Sequence, residues 1–334
     1  MTTSIWATCF ATAANRRILR ASPTPAPPPV TMRAHLLQDT TLRYFLEVAQ
    51  SGSLTEASAR LHVAASALSR QIAGLEAQLG TPLFDRHPRG MVLTAAGEIL
   101  AVHARRTVLD AERALGEIGA LQGLRAGQVR LATSDAFANE LVPRLCVEFQ
   151  RTHTGIQFSV LSMPTGQVPD AVRSGAADIG LCFSRAPHKD IEVAYRQTAP
   201  VLALVPPGHP LAGADSITLA QMAKYPLALP PAETTVRQMI DIVCSRQGLQ
   251  LEAVLISNHV KTVLNFVAHG GGLSVASEIA ARHLVEAGAV VALPISDPGM
   301  DLRDLEVQTL AGRSLPVAVQ AFMDLLKERL PGRW

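Results

Sequence analysis

Ser66, Ser69 and Arg70 share one side of a short amphipathic run whose other side carries Leu68, Ile72, Leu75 and Leu79. On a helix, that pattern serves recognition rather than catalysis. Small polar side chains let a backbone approach a duplex closely, and an arginine fork matches the acceptor pair on a guanine edge. Ser53 and Thr55, at the start of the preceding helical run, join this candidate DNA-contacting set. So do Arg86 and Arg89, in a segment that reads as a basic hairpin suited to backbone or minor-groove contact. The plainer reading is a three-helix structural domain whose small residues only pack, and periodicity alone leaves both open. Net charge does not decide, because the arginines from Arg33 to Arg89 are nearly balanced by acids from Asp39 to Asp85. Phosphate affinity would depend on where those arginines sit.

The elements that would position these residues follow from spacing. Leu42, Phe45, Leu46 and Ala49 make one apolar helical face, closed by Gly52. Ser53 and Glu56 stand three apart, a capping box in which each side chain meets the other's backbone amide. The second helix then runs to about Leu61, and a third covers Ala65 to Leu79 until Gly80 stops it. Leu83 to Arg86 and Met91 to Leu93 form the wing. Thr94 caps a long helix to about Gln122, in which Ala101, Ala104, Val108, Ala111, Leu115 and Ile118 repeat at alternating spacings of three and four. That is a heptad seam for a second copy, or the face of a helix packed on its own domain. Leu124 to Gly127 reads as a hinge.

From Gln128 onward short apolar strands alternate with helices, a pattern of parallel sheet with helices on both faces. The chain divides into two small α/β lobes: residues 128–199 with 304–334, and residues 200–303. The crossings fall near Gln197 to Ala199 and Asp301 to Asp304. Ligands of open α/β sheets bind beyond the carboxyl ends of strands and at helix N-termini. That places a candidate site at Thr133, Ser134, Asp135, Ser162, Met163, Pro164 and Thr165 in one lobe, and Thr234, Thr235, Asn258 and His259 in the other. Hydroxyls, an amide and backbone N–H groups suit a carboxylate or another small polar anion, although helix capping alone would also explain each residue. Asp135 and Glu233 count against a purely anionic ligand.

Other chemistry is poorly supported. The sequence has no GxSxG, P-loop, HExxH or paired-carboxylate motif, and its histidines show no ligand spacing. An enzyme is therefore not expected, nor a metal or cofactor. Cys9, Cys146, Cys182 and Cys244 are scattered without a CxxC and read as reduced. Aromatic content of 4% leaves little for stacking single-stranded bases. No apolar run is long enough to span a membrane, so a cytoplasmic protein without membrane contact is expected. Residues 1–34 read as a disordered, proline-rich extension, and Met32 reads as the true start of translation.

The run from Phe45 to Arg86, with Leu93-Thr94, Ala96 and Gly97, resembles the DNA-binding head of LysR-type transcriptional regulators. The matching positions are Ala57, Ala59, Ser69-Arg70-Gln71-Ile72, Leu75-Glu76, Leu79-Gly80, Leu83-Phe84 and Arg86. VRLATSDAFANELVPRL, SGAADIGLCF, ALVPPGHPLA and FVAHGGGLSVASEIAA resemble the family's second half in order. The resemblance implies a winged helix-turn-helix (35–94), a dimerisation linker helix (95–124) and an effector-binding domain (125–334) similar to periplasmic solute-binding proteins. It implies double-stranded DNA, a small-molecule effector, a second copy in a homodimer or homotetramer, and RNA polymerase as partners. One departure stands out: Ala64-Ala65-Ser66 replaces the family's usual Ser-Gln-Pro, removing the usual cap and a base-reading glutamine. The competing reading, a solute-binding transport protein, has no use for the head and lacks an export signal.

Overall fold

The computed structural model describes residues 40–88, 90–120, 127–301 and 303–330. The proline-rich extension, Arg89, Cys9 and most of the expected hinge lie outside them.

The head opens with α1 (Thr40–Ser51), which buries Phe45, Leu46 and Val48. Gly52 turns the chain at φ 63°, and α2 (Leu54–Leu61) starts from the cap at Ser53, whose hydroxyl accepts the Glu56 amide at 3.3 Å. Only half of the expected capping box forms. The Glu56 carboxylate turns instead to Arg60, and the Ser53 amide donates to Ser51 Oγ. His62 makes the tight turn to the next helix in the left-handed region, at φ 54°. α3 (Ala65–Leu79) starts at Ala64 with no side-chain cap, as its sequence implies, and ends at Gly80, φ 66°. Leu68 and Ile72 are buried, whereas Leu79 is half exposed because the last turn of α3 overruns the head core. β1 (Phe84–His87) and β2 (Gly90–Leu93) pair antiparallel as the wing. Glu76 fastens the wing to α3 by accepting the amides of Leu83 and Phe84 at 2.8 and 3.2 Å.

α4 (Ala95–Ala120) is the long linker helix. Its expected seam is split. Ala101 and Ala104 are buried in the head core, where Val108 packs beside them, while Ile118 is exposed. The early small positions thus serve the chain's own head.

The first lobe contains β3 (Gly127–Thr133), α5 (Asp135–Ala138), α6 (Leu141–Gln150), β4 (Ile156–Ser162), α7 (Val168–Arg173), β5 (Ile179–Ser184) and β6 (Ile191–Thr198). The second contains β7 (Val201–Val205), α8 (Leu219–Met222), β8 (Leu227–Leu229), α9 (Thr235–Gln247), β9 (Ala253–Ile256), α10 (Val260–Ala268), β10 (Leu273–Ser277), α11 (Glu278–Glu286) and β11 (Val291–Pro294). The chain then returns to the first lobe as β12 (Asp304–Leu310) and α12 (Val317–Arg329).

Each lobe has a five-stranded sheet, ordered β4-β3-β5-β12-β6 and β11-β7-β10-β8-β9. Neither is fully parallel, contrary to the sequence expectation. β4, β3 and β5 run parallel, but β12 runs against both β5 and β6. The reason is connectivity: β12 enters its sheet from the side of the second lobe, the end at which β5 finishes. β7 likewise enters from the crossing and opposes β10 and β11. The main core of the first lobe lies under α6 and α12, with Leu145, Phe149, Phe322 and Leu326 fully or nearly fully buried. Among the described residues no helix is long and apolar enough to cross a membrane.

Candidate functional sites in the head and between the lobes

α3 presents its candidate residues outward. Ser66 and Arg70 are exposed and Ser69 is half-buried, while Leu68 and Ile72 anchor the helix from below. Arg70 has no hydrogen-bond or ion-pair partner among the described residues, so its guanidinium is available to a ligand. Thr55 is exposed on α2, and Ser53 is occupied in capping. Arg86 is exposed on the wing and only loosely tethered, 3.8 Å from Glu76. The small polar surface, the free arginine and the wing therefore lie on rigidly supported elements, the arrangement a groove-reading module needs.

The candidate effector residues follow the carboxyl ends of β3 and β4 in the first lobe and of β8 and β9 in the second. Thr133 is fully buried, and its hydroxyl donates to the Leu181 carbonyl at 3.0 Å. Ser162 stands beside it through the β3–β4 register, and the Met163 amide donates to the Thr133 carbonyl at 2.9 Å. Pro164 is exposed, and Thr165 opens a short 3₁₀ turn. Ser134 is buried and its hydroxyl has no partner. A buried hydroxyl without a partner is costly unless something else meets it.

Asp135 acts differently from a simple ligand contact. Its carboxylate accepts the Val260 amide at 2.7 Å, so the first lobe caps α10 of the second. The lobes also meet where Ala136 packs against both cores and Ile279 of α11 enters the core of the first lobe. His259 and Asn258 are exposed at the start of α10, beside this clasp. Thr234 is a helix cap: its hydroxyl accepts the Arg237 amide at 3.3 Å and donates to the Pro231 carbonyl at 2.8 Å. Thr235 is the half-buried first residue of α9.

Sequence reasoning missed Arg303, Phe183 and Phe137. The two rings meet at a tilt of 35° with centroids 4.6 Å apart, and the Arg303 guanidinium lies 3.9 Å from the Phe183 centroid. Arg303 stands between Asp301 and Asp304 in sequence and so reads as a solvated surface charge. The fold buries it at the crossing instead, where the strand partners leave it no carboxylate.

Burial pushes the Cys146 thiol up to about 11 and Cys182 to about 12, so both stay protonated at neutral pH.

Two family models cover most of the described chain. Residues 40–98 match the bacterial regulatory helix-turn-helix protein model of the lysR family, and residues 122–331 match the LysR substrate binding domain. The SDS degradation transcriptional activation protein of Pseudomonas sp. (strain ATCC 19151) is 30% identical over 295 residues, 85% of this chain and 94% of that protein. The RuBisCO operon transcriptional regulator of Allochromatium vinosum is 28% identical over 286 residues, 85% of this chain and 94% of that protein. Among solved structures, a full-length OxyR variant from Pseudomonas aeruginosa shares the fold. Its TM-score is 0.64 at 22% identity, covering 86% of this chain and 94% of that one.

Proposed function

The chain belongs to the LysR family of bacterial transcriptional regulators, and from that premise we propose that α3 reads an operator through Arg70 while a small molecule held between the lobes sets the output. The observation that carries the first half is the unpartnered Arg70 on a helix fixed by buried Leu68 and Ile72. Ser66 and Ser69 allow close approach, Ser53 and Thr55 lie at the start of α2, and Arg86 and Arg89 belong to the flanking wing. The helix lacks the family's usual Ser-Gln-Pro start, so its operator preference is its own. A homodimer or homotetramer in the cytoplasm brings two such helices to two half-sites, and RNA polymerase receives the result.

The effector is a small polar molecule. Thr133, Ser134, Ser162, Met163, Pro164 and Thr165 approach it from one lobe, and Thr234, Thr235, Asn258 and His259 from the other. Asp135 joins the first set, and its carboxylate also ties the lobes by accepting the Val260 amide.

Two variants test this reading. Arg70→Ala weakens specific operator binding by about 1–3 kcal/mol and relaxes base preference, read by footprinting on selected duplexes; an unchanged footprint removes Arg70 from the interface. Ser134→Ala deletes a hydroxyl that has no partner, so stability and basal DNA binding stay as they are. The effector-dependent change in promoter output is lost in a reporter strain; a normal response removes Ser134 from the site.

A further inference from the structure

Arg303 is buried at the crossing between the lobes. Its Nε donates to the Ala199 carbonyl at 2.9 Å, and its backbone carbonyl accepts the Ala199 amide at 3.0 Å, so the two crossings are stitched together there. One terminal nitrogen, Nη2, has no partner among the described residues. Among the described residues no carboxylate pairs with this cation: Asp304 goes to Arg196, and Asp301 is exposed. Arg313, whose side chain is likewise buried, is matched by Asp178 at 2.8 Å. Burial without a counter-charge pulls the Arg303 guanidinium down to about 9. An isolated buried charge is strongly unfavourable, and proteins keep one where an anion completes it.

The location says which anion. β12 pairs with β5, with Asp304 opposite Ser184, so Arg303 stands just past the carboxyl end of β5. Thr133 and Ser134 stand at the end of β3, the strand on the other flank of β5. Two strand spacings, about 10 Å, separate these flanks, and the register sets Arg303 about three residues further along β5 than Ser134. The Ser134 hydroxyl on one flank of β5 and Arg303 Nη2 on the other thus both lack a partner among the described residues, and Phe183 of β5 packs against the guanidinium on one side and Phe137 on the other. We propose that Arg303 is the counter-charge for the effector, which is a small carboxylate whose acid group forks onto the free edge of this guanidinium. The assignment rests on the interlobe reading above and adds to it the ligand's charge and the residue that meets it. The Phe183 face holds the guanidinium plane fixed, and the carboxylate reaches it from the side of the second lobe.

The test uses the full chain and matched acid and amide pairs, benzoate with benzamide and glutarate with glutaramide, at constant ionic strength. Thermal unfolding reads binding. At least one acid raises the melting temperature in proportion to dose, and its amide does not. Arg303→Gln weakens that acid by about tenfold or more, the usual worth of a charge-assisted hydrogen bond. A purely structural arginine gives the reverse pattern, with early melting and unchanged acid binding. Should Arg303→Gln unfold early, Arg303→Lys decides: it keeps the cation and loses the fork, so acid preference persists at lower affinity. Full wild-type affinity in the lysine variant, or the absence of any acid effect on the wild type, overturns the assignment. An amide that binds as well as its acid, retained in Arg303→Gln and lost in Ser134→Ala, overturns it while leaving the interlobe site in place.

Discussion

Asp178 shows how a single side chain can hold several segments together. Its carboxylate takes Arg130 Nε at 3.1 Å and Nη2 at 2.8 Å, the Arg130 amide at 3.0 Å, and Arg313 Nη2 at 2.8 Å. Burial alone would raise its pKa, but the hydrogen bonds and charge of Arg130 and the charge of Arg313 outweigh burial and leave it below the ordinary carboxylate range. A depressed acid contributes stability that is fully present above its unfolded value, about 4, and lost as pH falls through the lower folded value. The effector half therefore weakens in strong acid. Asp178→Asn leaves Arg313, whose side chain is 1% exposed, without a carboxylate. Removing one partner of a buried pair costs about 3–5 kcal/mol, measurable by urea unfolding. The variant also loses the matching part of the acid dependence, and a loss below about 1 kcal/mol would contradict this account. None of this was legible in the sequence. Asp178 lies 48 residues from Arg130 and 135 from Arg313, and such separations leave no local periodicity. Arg303 was hidden for the same reason, since its burial depends on two crossings far apart in the chain.

At the scale of elements much more was legible, because helix stops and strand runs are local. α3 has the bounds its pattern predicts, and both it and α9 are closed by a glycine in the left-handed region, Gly80 and Gly248. The misses share a cause. β6 is a half-exposed edge with mixed polarity, β8 has three residues and α8 four, too short for a period to register. α11 went unnoticed behind the glycine-rich turn that precedes β10. The wing was expected, but its mounting was not. The Met91 amide donates to the Gly52 carbonyl at 2.7 Å, and a Cβ on Gly90 would sit 2.5 Å from that oxygen. Gly90 also has φ 136°, where side chains are strained. Gly90→Ala therefore pushes β2 off the end of α1. The expected cost is about 1–3 kcal/mol of head stability, and the wing's share of duplex affinity falls with it. Thermal unfolding and duplex titration on the full chain check both; an alanine variant with unchanged stability and affinity would mean the wing moves freely.

At the scale of the whole molecule the question is how a ligand between the lobes reaches the head. The structure offers one continuous route, α4. Its first half is built into the head core through Ala101 and Ala104. Its middle is built into the first lobe: Leu109 is buried against Val168, Val172, Ala177 and Leu310. Arg105 and Arg106 donate to the carbonyls of Arg173 and Ala311, each at 3.0 Å, and Glu112 pairs with Arg130 at 2.9 Å. Arg130 lies on β3, whose far end carries Thr133, so linker helix and candidate ligand site share one strand. A rigid element that belongs to two bodies transmits a change only while it stays docked to both. Leu109→Ala with Glu112→Gln loosens the second attachment and leaves the first intact. Losing a buried leucine at such a contact costs about 2–5 kcal/mol, and the weakened ion pair adds to it. Calorimetry of the wild-type chain then gives one joint transition for head and first lobe, whereas the double variant gives two. Head and lobes each keep their own ligand, but the effector no longer changes operator affinity. If the double variant kept both the joint transition and the full response, coupling would have to run through contacts between copies instead of along α4.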